Sequence, residues 1–232
     1  MGRSADLYSL QITDLDLDAA TQRLDTVNQE LLDTGELMSA RQRLENAREE
    51  LRAWGTQQRD QELTLSSLEH KKRASEQRLY GGKIRNPKEL SDLHEEVASL
   101  NRRKAVIEDE LLETMLMVEE GEEEQDQAVE SLTAIESDWK ATQARLHSEK
   151  ESLEEKLSDL ADLRQQQIAI PPAADLAKYE HLRQRKRGRP VALLNGAECQ
   201  RCMTGVSAAR VKEARGEGLA ICGTCGRILH IC

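Results

Sequence analysis

The chain of 232 residues carries a formal net charge of −10 at pH 7, and about one third of its side chains are charged. It contains two Trp, three Tyr and no Phe, whereas a globular domain of this length normally buries far more aromatic area. The composition therefore excludes a thick aromatic core and favours long helices joined along a narrow apolar seam.

Charge is distributed unevenly along the chain. Residues 1–170 carry 22 basic and 38 acidic side chains, whereas residues 171–232 carry 11 basic and 5 acidic ones. This division predicts that the two parts meet different partners. The N-terminal stretch lacks the apolar segment of a secretion signal, and no apolar run is long enough to cross a bilayer, so a cytoplasmic location is expected.

Residues 5–170 are predicted to form an elongated, all-α coiled coil, because their apolar residues recur at heptad spacing. The clearest rows are Leu10, Leu17, Leu24, Leu31 and Met38, and later Leu132, Trp139, Leu146, Leu153 and Leu160. The register slips by one residue where Leu37 begins the next row, and local irregularities are expected near this slip, at Gly35 and Gly55. Gly121, in an acidic run, is expected to loosen the second helix.

The stretch YGGKIRNPK, residues 80–88, divides the coiled coil into two segments of nearly equal length. Two glycines can end a helix, and Asn followed by Pro can cap and begin the next one. The sequence therefore favours an antiparallel hairpin with its tip at 80–88, over a continuous rod that would carry Gly-Gly and Pro through its middle. The predicted tip residues are Gly81, Gly82, Lys83, Arg85, Asn86 and Pro87. This basic tip is either an ordinary solvated turn or a docking surface.

A neck is predicted over residues 171–195, where two prolines end the second helix and a short basic helix follows. Its basic residues are Lys178, Arg183, Arg185, Lys186, Arg187 and Arg189. Basic side chains in the last turn of a helix interact favourably with the helix dipole. Six basic residues within twelve are more than this interaction explains, and they suit the binding of a polyanion such as RNA or DNA. Tyr179 is the aromatic residue of this segment that is expected to be available for base stacking.

Residues 196–232 are predicted to form a zinc ribbon. Two C-x-x-C pairs separated by 19 residues have the spacing of a structural site for one Zn²⁺. The predicted ligands are Cys199, Cys202, Cys222 and Cys225. Four thiolates complete the coordination shell and leave no position for an activated water, so the metal is expected to be structural. His230 and Cys232 could compete as ligands, although Cys232 is expected to be a free thiol.

These parts, in this order, resemble a bacterial family of coiled-coil hairpins with a C-terminal four-cysteine zinc ribbon, often described as predicted nucleic-acid-binding proteins. The resemblance rests on LYGGKIRNPKEL at 79–90, CGTCGRIL at 222–229 and the basic stretch YEHLRQRKRG. Arg201 stands where the family usually has Gly, and His230 where it commonly has Tyr. Members from Chlamydia and Helicobacter imply a link to flagellar or type III secretion and to the alternative sigma factor 54.

Two functions follow as expectations. The first is a non-enzymatic adaptor that binds protein through its coiled coil and nucleic acid, or the transcription or translation machinery, through its neck and ribbon. The second is a protein–protein scaffold for a sigma factor, flagellar or secretion component. No arrangement of residues in the sequence suggests catalysis, so no enzymatic activity and no small-molecule substrate are expected.

Overall fold

The computed structural model describes residues 2–216 and 218–231. Long helices precede a small C-terminal module of short strands and one helix. The elements in chain order are α1 (Arg3–Leu32), α2 (Gly35–Tyr80), α3 (Pro87–Ile168), α4 (Ala173–Arg185), β1 (Val191–Asn195), β2 (Glu198–Cys199), β3 (Thr204–Gly205), α5 (Ala208–Arg215) and β4 (Ile228–His230). Their contacts divide the chain into two compact units, one of Met1–Asp33 with Thr142–Cys232, and one of Thr34–Ala141.

The second unit is an antiparallel helical hairpin formed by α2 and the first part of α3. The turn between them follows the sequence prediction. Gly82 has a left-handed backbone with φ of 68°, and a Cβ on Gly81 would lie 2.6 Å from the carbonyl oxygen of Gln77. The side chain of Asn86 accepts a 3.1 Å hydrogen bond from the amide of Lys88, and α3 begins at Pro87. The hairpin prediction is therefore confirmed.

The first predicted helical segment is interrupted, because α1 ends at Leu32 and α2 begins at Gly35. The intervening Asp33 has an extended backbone, and the sequence Asp-Thr-Gly places three poor helix formers in a row. The slip in the heptad rows arises at this break. The expected irregularity at Gly55 is wrong, because Gly55 lies within the continuous helix α2. Leu37 is buried on the new register, while Met38, which the sequence placed in the first row, is exposed.

The helix α3 keeps one uninterrupted heptad register along the hairpin. Its two inward-facing rows are Leu93, Leu100, Ile107, Thr114 and Gly121, and Val97, Lys104, Leu111, Val118 and Gln125; Leu93, Thr114 and Gly121 are buried and the others are half-buried. The expectation that Gly121 loosens this helix is wrong. Gly121 is buried within continuous helix, and a Cβ there would lie 3.4 Å from Cδ1 of Leu51, so the glycine lets the two helices approach closely.

The first unit joins α1, the C-terminal part of α3, α4 and the C-terminal module. The module has a four-stranded sheet in the order β3-β2-β1-β4, in which β1 runs antiparallel to β2 and parallel to β4. Strand β1 lies within the segment that the sequence assigned to the neck, yet it is an inner strand of this sheet. Behind the sheet, α5 contributes Val211 and Ala214 to a core that includes Leu194, Val206 and Leu229.

Candidate metal centre and basic neck

Two equivalent turns carry the four cysteines of the C-terminal module. In the first turn the amide of Met203 donates to the carbonyl of Cys199 at 2.8 Å, and in the second the amide of Gly226 donates to that of Cys222 at 3.0 Å. Met203 and Gly226 both have left-handed backbones, with φ of 55° and 71°. Each C-x-x-C pair is thereby wound into a tight loop that directs both sulfur atoms to the same side.

The four sulfur atoms lie within 4.8 Å of one another. Sγ of Cys199 is 3.9 Å from that of Cys225, and Sγ of Cys202 is 3.7 Å from that of Cys222. A tetrahedral zinc site with Zn–S bonds of about 2.3 Å requires sulfur atoms about 3.8 Å apart, whereas a disulfide requires about 2.0 Å. These cysteines are free thiols, and their arrangement fits a metal ion.

The protonation of two of these thiols differs because their surroundings differ. Burial raises the pKa of Cys199, whereas hydrogen bonding by the Thr204 hydroxyl lowers the pKa of Cys202. Cysteine binds metal as a thiolate, so a metal ion must displace a proton from the buried Cys199. A site of four thiolates is closed to water and suits a structural ion.

The cysteine turns pack against the apolar core of the module. Cys199 and Cys222 are buried in the cluster that contains Ala192, Leu194 and Leu229. The amide of Cys222 donates to the carbonyl of Arg227 at 2.8 Å, which closes the second turn. A metal ion bound here would join the two turns across this small core.

The N-terminal part of α1 anchors the module from one side. Leu7 and Leu10 are fully buried against Val191 and Ile228 of the sheet. The side chain of Gln11 accepts a buried 2.7 Å hydrogen bond from the amide of Val191, which saturates a donor on strand β1.

His230, which the sequence offered as an alternative metal ligand, belongs to this anchor instead. Its ring stacks on Tyr8 with centroids 5.1 Å apart, and its Nδ1 lies 3.2 Å from the hydroxyl of Ser4. Burial lowers the pKa of His230. Cys232, the other alternative, lies outside the described residues.

A buried carboxylate connects α1 to the neck. Asp14 has no exposed surface and accepts hydrogen bonds from Nε of Arg164 and from the phenol of Tyr179, both at 2.6 Å. Nε of Arg183 lies 3.3 Å from the same carboxylate, and Arg164 also bonds Glu180 at 2.5 Å. Asp14 and Arg164 are not among the functional residues that the sequence predicted. The signal for Asp14 was its position, since it falls on the same helical face as Leu7 and Leu10.

The predicted basic surface of the neck is therefore smaller than the sequence indicated. Arg183 is half-buried and also bonds Asp18 at 2.8 Å, so it serves the packing of α4 against α1. Lys186 is half-buried. The exposed members of the set are Lys178, Arg185, Arg187 and Arg189. The expectation that Tyr179 is available for base stacking is wrong, because its ring is fully buried and its hydroxyl bonds Asp14.

The hairpin tip presents its basic residues to solvent. Lys83, Arg85 and Lys88 are exposed around the turn, while Ile84 is half-buried between them. The tip lies in the hairpin unit, and the neck and the cysteines lie in the other unit, so the fold keeps the two predicted basic surfaces in separate units.

Residues 14–187 match the family described as the CT398-like coiled coil hairpin domain, which covers most of the chain. The chain belongs to the CT398-like coiled-coil hairpin family. The match includes both helices of the hairpin, its tip and most of the basic neck, and it ends before the first of the four cysteines.

Several proteins of known structure share the fold. CT398 from Chlamydia trachomatis has a TM-score of 0.78 at 18% identity, with 99% of this chain and 98% of that one covered. A Mycobacterium smegmatis protein has a TM-score of 0.64 at 21% identity, with both chains fully covered. HP0958 from Helicobacter pylori has a TM-score of 0.52 at 16% identity, with 100% and 99% covered. At these sequence identities the similarity shows a shared fold alone.

Curated relatives of the CT398-like chain occur in Mycobacterium tuberculosis. The uncharacterized proteins MT2288 and Rv2229c are each 32% identical to it over 155 residues, which is 61% of this chain. The matched region spans 59% of the length of each relative. Among the residues that the structure describes, none of the helices combines the length and apolarity needed to cross a membrane.

Proposed function

We propose that the protein is a non-enzymatic adaptor whose C-terminal module is held by one structural Zn²⁺ and whose neck binds nucleic acid. The coiled coil supplies the protein contacts. The observation that carries the proposal is a set of exposed basic residues on the segment that leads into the cysteine module. Lys178, Arg185, Arg187 and Arg189 are exposed on α4 and the turn that leads into β1, an inner strand of the module's sheet.

Zinc is the metal that this donor set favours. Four thiolates at tetrahedral spacing suit a soft or borderline cation, and a C-x-x-C pair in each of two turns is the usual arrangement of a structural zinc site. Reduced thiols are maintained in a reducing compartment, which supports a cytoplasmic location.

Nucleic acid is the polyanion that we propose for the neck. Arg187 and Gly188 both have left-handed backbones, with φ of 54° and 75°, and this turn separates Arg185 from Arg189 along the chain. Such a surface would bind phosphates, and because Tyr179 is buried it would do so by charge rather than by base stacking. We therefore propose binding with little sequence preference, to RNA or DNA.

The test is fluorescence anisotropy of labelled single-stranded RNA and DNA across a salt series, with the zinc-loaded protein. A neck variant, R185Q/R187Q/R189Q, leaves Arg183 intact because that residue packs α4 on α1. The matched control is a tip variant, K83Q/R85Q/K88Q, which removes the same number of positive charges. Binding that weakens steeply with salt and is lost in the neck variant alone supports the proposal. Equal loss in both variants, or no binding at low salt, refutes nucleic-acid binding by the neck.

A second candidate function is a scaffold that binds only proteins, such as a sigma factor or a flagellar or secretion component. The burial of Tyr179 favours this alternative, since the neck then lacks an exposed aromatic ring. In the same experiment, a folded and zinc-loaded protein that fails to bind either nucleic acid would support the scaffold.

A further inference from the structure

The middle of the hairpin exposes an apolar surface that the heptad seam does not use. The seam of α3 at this level runs through Leu111, Thr114 and Val118. Leu112, Met115 and Leu116 lie off the seam and remain exposed. Residues three and four apart share one face of a helix, so these three side chains form a continuous surface, which we call the outer patch.

The facing helix α2 leaves the outer patch uncovered. At this level α2 is largely polar, and its contact with α3 includes a 3.3 Å hydrogen bond from Gln57 to Thr114, which is buried. Two grooves of about 690 and 650 Å³ flank Leu116, which borders both of them. Trp54 lines the first groove and Val118 the second, so each groove extends the apolar surface toward the seam.

The surroundings of the outer patch are strongly acidic. Residues 105–139 of α3 contain 13 acidic side chains and no Lys, Arg or His. On the face of the patch itself, Glu108 lies one turn before Leu112 and Glu119 one turn after Met115, and both are exposed. Glu119 and Glu122 border one groove, and Glu113 borders the other. The arginines of α2 at this level, Arg48, Arg52 and Arg59, line an adjoining groove that shares Val118 and Glu122 with the second groove, but none of them lines either groove beside Leu116.

We infer that the outer patch is a docking site for an amphipathic helix of a partner protein, with an apolar stripe flanked by Lys or Arg. An apolar stripe would cover Leu112, Met115 and Leu116, and basic flanks would meet the surrounding carboxylates. Met115 and the neighbouring Met117 are flexible side chains that adapt to different stripes. A second copy of the chain fits poorly, because pairing two outer patches would bring two acidic surfaces together.

This inference deepens the protein-binding half of the proposed function and rests on it. The nucleic-acid half is tested on other residues, so either can fail alone. If the neck binds RNA but the outer patch binds no helix, the inference fails and nucleic-acid binding stands. The neck variant R185Q/R187Q/R189Q should bind the helical probe as well as the wild type does.

The probe is a fluorescein-labelled peptide of Leu and Lys, about 18 residues long so that it can form a stable helix, with leucines on one face. There are two control peptides. The first has the same composition in scrambled order, and the second has Glu in place of every Lys. The test variant of the full-length protein is L112Q/L116Q. The matched control is L32Q, because Leu32 is also exposed, at 80%, but lies in the other unit. Far-UV circular dichroism and the thermal midpoint should match the wild type in both variants.

We expect anisotropy titrations to show binding of the Leu/Lys peptide that weakens by more than about tenfold in L112Q/L116Q and is unchanged in L32Q. The charge variant E119Q/E122Q should reduce both the affinity and its dependence on salt. Equal binding of the scrambled peptide, or undiminished binding by L112Q/L116Q, would show attraction by charge alone and overturn the inference. Sedimentation that reveals self-association abolished by L112Q/L116Q would assign the patch to a second copy instead.

Discussion

The carboxylate of Asp14 accepts a 2.6 Å hydrogen bond from the phenol of Tyr179, and neither residue has any exposed surface. The two residues lie 165 positions apart in the chain. Burial and this hydrogen bond raise the pKa of Tyr179, so the tyrosine remains protonated and can donate. The pair joins α1 to α4 at the base of the neck, with Arg164 and Arg183 balancing the buried negative charge.

Replacing Asp14 should be strongly destabilising. The substitution D14A would leave the half-buried Arg164 and Arg183 without their shared acceptor, and we expect it to lower the free energy of unfolding by about 3–5 kcal/mol. Y179F removes one hydrogen bond while both arginines stay paired, so we expect it to lower the free energy of unfolding by only about 1–2 kcal/mol. Urea unfolding followed by circular dichroism measures both effects. D16A is the matched control, since Asp16 is exposed on the same helix, and a loss in D14A no larger than in D16A would contradict the structural role of the network.

Removal of the metal should unfold the cysteine module and leave the hairpin helical. The module's core is small, so most of its stability should come from the bound ion. We expect atomic emission to find one zinc per chain and C199S to abolish this zinc. A chelator should then open residues 190–231 to protease while the helical circular dichroism changes little. C232S should keep the zinc, and a module that resists protease without metal would contradict the prediction.

Gly121 should tolerate Ala and reject Leu. A Cβ at this position would lie in ordinary contact with Leu51, at 3.4–3.7 Å, so G121A should raise the free energy of unfolding by about 0.5–1 kcal/mol through helix propensity. A larger side chain would separate α2 from α3, so G121L should lower the free energy of unfolding by about 1–3 kcal/mol. Thermal unfolding measures both.

Gly55 supplies the comparison, because it lies within α2 and a Cβ there meets no atom within 4 Å. We expect G55A to gain stability much as G121A does, and G55L to be tolerated. Equal effects of Leu at the two positions would show that close approach of the helices is not the reason for Gly121.

Acidification should loosen the contact between α1 and β4. Burial lowers the pKa of His230 in the folded protein, so the unfolded chain binds the proton more readily. The stability that neutral His230 contributes is therefore present above its ordinary pKa of about 6.5 and is lost as the pH falls through the lowered value. Hydrogen exchange of the first turns of α1, measured between about pH 5 and 7.5 and corrected for the intrinsic exchange rate at each pH, should show lower protection on the acid side.

The variant H230F isolates this effect, since it keeps a ring against Tyr8 but has no titrating group. Loss of zinc from protonated cysteines would affect both proteins alike. If protection in H230F falls on acidification as much as in the wild type, the pH dependence arises elsewhere.

The sequence by itself determined the helices, the hairpin turn and the cysteine set. Each depends on local chemistry: heptad spacing fixes the seam, Gly-Gly and Asn-Pro fix the turn, and the spacing within each C-x-x-C pair fixes the loop that directs two sulfur atoms together. Even the break near Gly35 left a trace as a slip in the heptad register.

Only the tertiary structure decided which charged and apolar residues are free to bind. Arg183 looked equivalent to Arg185 in the sequence, but Asp14 and Asp18 occupy it, and Tyr179 is buried rather than available. The partners in these contacts lie 165 or more positions apart or on another helix, so no local pattern reveals them. Likewise, only the structure shows that Leu112 and Leu116 lie off the seam and stay exposed, because burial depends on which residues lie opposite a side chain.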